Sequence, residues 1–177
     1  MPNEFNNYIS IITANKTIIK DLENLFDVSK EGESKIIETI DLINFIYSLE
    51  IPTNDLDYDF IESMTKTKGI KGEFTNQTDD RFEMAIVSAS SHLGFVVEAL
   101  FNKLILIDPQ LIIECIIEEE NYESVGVGYY SSKFCKLEFI DMGKWDLIRL
   151  SEEDEYRDIL ADEQTLLMNS LKDNAIK

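Results

Sequence analysis

Apolar residues change their spacing several times along this chain, and the order of those changes restricts the fold more than any other feature. Ile70, Gly72 and Phe74 alternate with Lys71 and Glu73, and Phe82, Met84 and Ile86 alternate with Glu83 and Ala85. That period predicts two half-buried strands, with Asn76–Asp80 as the turn of a hairpin. From Leu93 the period lengthens. Val96, Val97, Leu100, Phe101 and Leu104 recur at helical spacing, with Ser90 or Ser91 as the expected cap. Leu111–Ile117 is then apolar at nearly every position, which predicts a central strand.

Upstream, Tyr8, Ile9, Ile11 and Ile12 mark a strand over Phe5–Thr13. Asn15 is placed to cap a helix over residues 16–27, whose apolar stripe is Ile18, Ile19, Leu22, Leu25 and Phe26. The order strand, helix, strand, strand, helix, strand is the split βαβ arrangement. The expected fold is therefore α+β and ferredoxin-like (βαββαβ), an antiparallel sheet in a single domain spanning 1–177. Its core covers about 4–120, with Val97, Leu100, Ile113 and Ile117 buried. An insertion falls near residues 30–66, where 36–49 suits a helix or a strand. A C-terminal strand-plus-helix extension covers about 121–177. Within the extension, Glu118–Ser124 is expected as a loop and Val125–Tyr130 as a strand. Lys133–Ile140 is expected to continue that strand, with Cys135, Leu137 and Phe139 facing inward. Ser151 then opens a helix carrying Tyr156, Ile159, Leu160, Leu167 and Leu171.

Short motifs accompany this order. The chain begins Met1-Pro2-Asn3-Glu4-Phe5-Asn6-Asn7, and Ile51-Pro52, Gly69-Ile70-Lys71-Gly72 and Ser88-Ala89-Ser90-Ser91 follow. An acidic strand end, Glu118-Glu119-Glu120, then precedes Gly126-Val127-Gly128. In these positions, over roughly residues 1–135, the chain resembles the YubB-type ferredoxin-like family of phages and plasmids. The tryptophans of the family's motifs are missing here. The resemblance implies the fold and a phage setting, and it carries over no catalytic residue. An Ile-rich, Ala-poor composition agrees with an AT-rich genome.

Charge limits the partners. Asp and Glu number 35 against 16 Lys and Arg, giving a net charge of −19. Direct binding to nucleic acid or to an anionic membrane needs clustered cations and is not expected. The excess is uneven: residues 1–60 carry −8, residues 61–110 carry −2 and residues 111–177 carry −9. Solubility of a small domain needs a magnitude of only about 2 to 8, and a field of one sign costs stability by self-repulsion. A basic partner would relieve it. Met1–Phe5 shows no cationic or apolar leader, and no apolar run approaches the ~20 residues of a membrane span. A cytoplasmic location is therefore expected.

Catalytic and metal motifs fall short. Asp55, Asp57 and Asp59 open a calcium-loop pattern, but Phe60 stands where glycine is required and Lys66 where the bidentate glutamate belongs. His92 is the single histidine, and no G-x-S-x-G elbow surrounds its serine neighbours. Cys115, Cys135 and His92 lack zinc-site spacing, and the two cysteines are expected as small buried hydrophobes. Gly126-Val127-Gly128 has no third glycine and no following helix, so it reads as a strand bend or bulge rather than a nucleotide loop. No metal, cofactor or catalysis is expected.

The leading expectation is a non-enzymatic acidic interaction protein, phage-encoded. It would inhibit a host defence or nucleic-acid-binding protein by occupying a basic surface, in the manner of a DNA mimic. Glu118, Glu119, Glu120 and Glu123 in the expected loop, with Asp55, Asp57 and Asp59, are the candidate partner-binding residues. The alternative is a ligand-binding or regulatory ferredoxin-like module.

Overall fold

The structure is a computed structural model that describes residues 4–26, 35–37, 70–89, 93–119, 125–140 and 153–176. Along the chain these form β1 (Glu4–Ile12), α1 (Lys16–Phe26), β2 (Lys35–Ile37), β3 (Ile70–Thr78), β4 (Arg81–Ala89), α2 (Gly94–Ile107), β5 (Ile112–Glu119), β6 (Val125–Ser131), β7 (Phe134–Phe139) and α3 (Glu153–Ile176). The class is α+β. One seven-stranded sheet runs β2-β3-β4-β1-β5-β6-β7, and every pairing in it is antiparallel. Strand β1 therefore lies between β4 and β5. Both neighbours run opposite to it, and α2 connects them.

Alternation sorts β1 cleanly. Phe5, Asn7, Ile9 and Ile11 are buried on one face, while Tyr8 on the other is 45% exposed. The buried face carries the main core. Ile18, Ile19 and Leu22 of α1 and the apolar residues of α2 pack there against Ile9, Ile11, Phe82, Met84, Ile86, Ile113 and Cys115. Val97, Leu100, Ile113 and Ile117 are buried as their spacing required. The opposite face of β5 and β6 has a smaller cluster, where Leu171, Leu167 and Met168 of α3 meet Ile112, Val127, Tyr129 and Phe134.

Polar contacts set the helix ends. Asn15 Oδ1 accepts the Thr17 N–H at 3.0 Å and caps α1, as its position suggested. Helix α2 is capped differently. Leu93 is its N-cap residue, and the Leu93 N–H donates to Oδ1 of the buried Asn7 at 2.9 Å. Asn7 Nδ2 donates in turn to Ile86 O and Ser88 Oγ. One β1 side chain thus satisfies a helix start and two strand groups, where buried polar atoms left unpaired would be costly. Ser90, Ser91 and His92 lie outside the described residues. At the other end, Asp108 Oδ1 accepts the Gln110 N–H and Asp108 Oδ2 accepts the Thr13 hydroxyl, tying the end of α2 to the end of β1.

Several boundaries need correction. Strand β3 runs to Thr78 and the hairpin turns at Asp79–Asp80, with a register shift between Phe74 and Asn76. Strand β5 extends through Glu119, so Glu118 and Glu119 are strand residues and not loop residues. Lys133–Ile140 does not continue β6. The chain reverses at Ser132–Lys133, and β7 returns antiparallel to β6. Cys135 is exposed and Phe139 is 48% exposed, because β7 is the last strand of the sheet. Gly126 and Gly128 are not bend points. A Cβ on Gly128 would lie 2.6 Å from Cys115 Sγ, and one on Gly126 would lie 3.0 Å from the Phe139 ring. These glycines make room for side chains of the neighbouring strands. Within the expected insertion, β2 pairs with β3. The remainder of 30–66, with Asp55, Asp57 and Asp59, lies outside the described residues, as do Glu120 and Glu123.

Candidate functional site: a groove beside the C-terminal helix

On the face away from α1 and α2, α3 packs over β6 and, among the described residues, leaves β1, β4 and the near half of β5 less covered. A groove of about 510 Å³ follows this border, with sheet residues such as Tyr8 and Ser10 on one side and Gln164, Thr165 and Lys172 of α3 on the other. Its floor comes from register. Ser10 stands opposite Glu83 of β4 and also opposite Glu114 of β5. Residues directly opposite in a sheet project to the same face. The hydroxyl is therefore flanked by two glutamates.

Each glutamate has a cation. Arg81 Nη1 lies 3.1 Å from Glu83 Oε1, and Lys172 Nζ lies 2.8 Å from Glu114 Oε1. The second pair ties α3 to the sheet, and Glu114 in it is largely shielded from solvent. Ser10 Oγ is buried and has no hydrogen-bond partner among the described residues. Next along the row, Tyr129 stands opposite Glu114. Burial first, and then the Glu114 carboxylate, pushes the Tyr129 phenol above its ordinary pKa. A further link lies at the upper end, where Gln164 Nε2 donates to Glu118 Oε1 at 2.7 Å.

Of the expected acidic loop, only Glu118 and Glu119 lie among the described residues, and they point to opposite faces of β5. Glu119 is only 5% exposed, because its side of β5 is the side that carries Ile117, Cys115 and Ile113. Glu118 points to the α3 side and already accepts a hydrogen bond. The groove residues Ser10 and Glu114 belong to no recognisable sequence motif. Their local signal is a polar residue interrupting an apolar run in each case. What joins them to Glu83 is strand register, which no local pattern encodes.

Chemically the groove is suited to binding. It pairs two carboxylates, two cations and a spare hydroxyl, and no histidine or accessible thiol is among the residues that line it. Cys115 sits on the opposite face of its strand, where burial pushes its thiol up to about 12. Cys135 lies elsewhere, in a hollow of about 250 Å³ with Glu98, Tyr130 and Phe139. Its thiol contacts Ser131 O at 3.3 Å. Among the described residues, no group of three His, Cys, Asp or Glu could hold a metal ion, and no helix is long and apolar enough to cross a membrane. Compared with family models, curated proteins and solved structures, the chain matches none.

Proposed function

We propose that the chain is a non-enzymatic acidic interaction protein of ferredoxin-like design, phage-encoded, which inhibits a host defence or nucleic-acid-binding protein by occupying its basic surface. The partial order β3-β4-β1-β5 supports the ferredoxin-like reading, with α1 and α2 both packed on one face. The flanking β2, β6 and β7 extend that four-strand pattern. The YubB-type resemblance rests on the sequence motifs and belongs to the same proposal.

One observation carries the functional reading: a groove that holds two carboxylates, bordered by a helix whose described side chains carry more acids than bases. Among its described side chains, α3 bears Asp158, Asp162, Glu163 and Asp173 against Arg157 and Lys172. Asp158 precedes Ala161 and Thr165 of the groove wall by one and two helical turns, on one stripe. A field of one sign around a concave site favours cationic partners and speeds their approach.

The test begins with a partner captured from host lysate and identified. Its association with the purified protein is then followed by surface plasmon resonance, with and without duplex DNA. Association should slow steeply as salt rises, because the Debye length falls from about 10 Å at 0.1 M to about 3 Å at 1 M. Duplex DNA should compete. Binding that ignores both salt and DNA overturns the reading. The alternative, a ligand-binding module, is favoured by the groove's volume of about 510 Å³, which falls within the roughly 300 to 1,000 Å³ of small-molecule sites.

A further inference from the structure

We infer that the groove between α3 and the sheet is a receptor for an arginine side chain presented by a basic segment of the partner protein, with Ser10, Glu83, Glu114 and Tyr8 as its recognition residues. This rests on the proposed role as an acidic interaction protein and adds a location and a chemistry to it.

The unpartnered Ser10 hydroxyl is the first indication. A buried hydroxyl without a partner is unfavourable unless a bound group supplies one. Ser10 lines a groove of about 510 Å³, and its hydroxyl lies beneath that surface between two carboxylates in register. The two ion pairs engage Oε1 of Glu83 and Oε1 of Glu114, leaving both Oε2 atoms outside those pairs. A group that reaches them and also donates to Ser10 needs several N–H donors in one rigid unit.

Shape separates arginine from lysine. Neighbouring strands lie about 4.8 Å apart, so Glu83 and Glu114 are separated by about 10 Å of backbone. A guanidinium has five donors in a fixed plane and can bridge carboxylates. An ammonium is a compact point charge that serves one of them well. Tyr8 adds a second preference. It lies two residues from Ser10 on the same face of β1, lines the groove and is 45% exposed. A guanidinium can lie flat on such a ring.

Arg81 and Lys172 set the selectivity. Within the four charges they neutralise the glutamates, so the site does not collect every cation. A ligand must offer geometry as well as charge. The acidic stripe of α3, with Asp158 and Asp162 exposed, supplies the remaining attraction.

The experiment is a ¹⁵N-¹H NMR titration of the full chain with acetyl-arginine methylamide, and in parallel with acetyl-lysine methylamide, spermidine and glutarate. The arginine probe should give saturable shifts at the amides of Tyr8, Ser10, Glu114 and Thr165, and bind several-fold more tightly than the lysine probe. Glu83→Gln should weaken it about tenfold, as loss of one charge-assisted hydrogen bond implies. Tyr8→Ala should weaken it and remove the preference over lysine. Glu83→Gln keeps the shape of the side chain and leaves the Lys172–Glu114 tie of α3 intact, and an unchanged spectrum outside the groove confirms its fold. Equal shifts with arginine, lysine and spermidine spread over the acidic surface overturn the proposal. So does glutarate binding in the groove, or no saturable shift at all. The variants are also run in the partner assay. If Glu83→Gln and Tyr8→Ala bind the partner as wild type does, with salt dependence intact, the groove assignment falls and the acidic interaction reading stands. If the partner shows no salt dependence while the arginine probe still saturates the groove, the reverse holds.

Discussion

The two faces of the central strands are built from alternate residues of the same segments, yet they follow different rules. On one face Ile9, Ile11, Phe82, Met84 and Ile113 disappear beneath α1 and α2. On the other, Tyr8, Ser10, Arg81, Glu83 and Glu114 line a groove that, among the described residues, α3 alone borders. Chain economy explains the difference. Two helices cover the first face across β1, β4 and β5, whereas α3 is committed to β6 through Val127, Tyr129 and Leu171. A face that is covered can be apolar. A face left partly open must carry polar groups, and those groups become available for recognition.

The largest expected effect compares the two faces directly. Phe82 is fully buried beneath the helices, so Phe82→Ala should cost about 3 to 5 kcal/mol. Leu171 is nearly as buried but sits in the smaller cluster, where Ile112, Phe134, Leu167, Met168 and Ala175 are only partly buried. Leu171→Ala should fall near 2 kcal/mol, the lower end for such truncations, because that site can relax. Urea denaturation followed by circular dichroism measures both. Equal losses would mean that the α3 cluster is as close-packed as the main core, and the contrast between the faces would disappear.

Much of the first face was legible in the sequence, because local periodicity determines it. The stripes of α1 and α2 and the apolar run of β5 each announce an element without reference to any other. Val97, Leu100, Ile113 and Ile117 are buried for that reason. The second face was not legible. Ser10, Glu83 and Glu114 come from distant parts of the chain and meet only through register. The reversal before β7 is made by Ser132–Lys133, with none of the glycine or asparagine that marks a tight turn. Asn7 reads as a polar residue at a strand start, and its role as the cap of α2 depends on a contact across 86 positions. Glu119 reads as loop acid, and the extra length of β5 carries it under cover.

A second prediction contrasts centre and edge through the two thiols. Burial pushes Cys115 from 9.0 to about 12, with the Gly128 backbone hydrogen bond only partly opposing it. Its folded value is thus above its unfolded one. The stability it supports is fully present below about pH 9 and is lost as pH rises from there toward about 12, since the unfolded chain ionises first. A single such group gives a slope of up to about 1.4 kcal/mol per pH unit. Tyr130, also raised first by burial, adds loss at the upper end of this window. Cys115→Ala should therefore show a shallower fall of the urea midpoint between pH 9 and 11 than wild type. Cys135→Ala should follow the wild-type slope closely, because the exposed thiol at β7 is raised less. Identical slopes for the wild type and Cys115→Ala would show that ionisation of this thiol is not coupled to unfolding.

The smallest stability effect is expected at Ser10, and its sign is informative. A buried polar atom that has a partner destabilises when removed, and one that lacks a partner does not. Ser10 Oγ is of the second kind, whereas Asn7 on the opposite face of the same strand is of the first. Ser10→Ala should therefore leave stability unchanged or raise it by up to about 1 kcal/mol, because the hydroxyl's desolvation goes uncompensated in the free protein. Asn7→Ala should destabilise by about 1 to 3 kcal/mol, since the Leu93 N–H and the Ile86 carbonyl lose their partner. Thermal denaturation of both variants at one pH makes the comparison. If Ser10→Ala destabilises as much as Asn7→Ala, the hydroxyl is already satisfied within the folded chain. It would then have no bond to offer an incoming guanidinium. A neutral or stabilising change accompanied by weaker binding of acetyl-arginine methylamide would locate the hydroxyl's contribution in recognition rather than in folding.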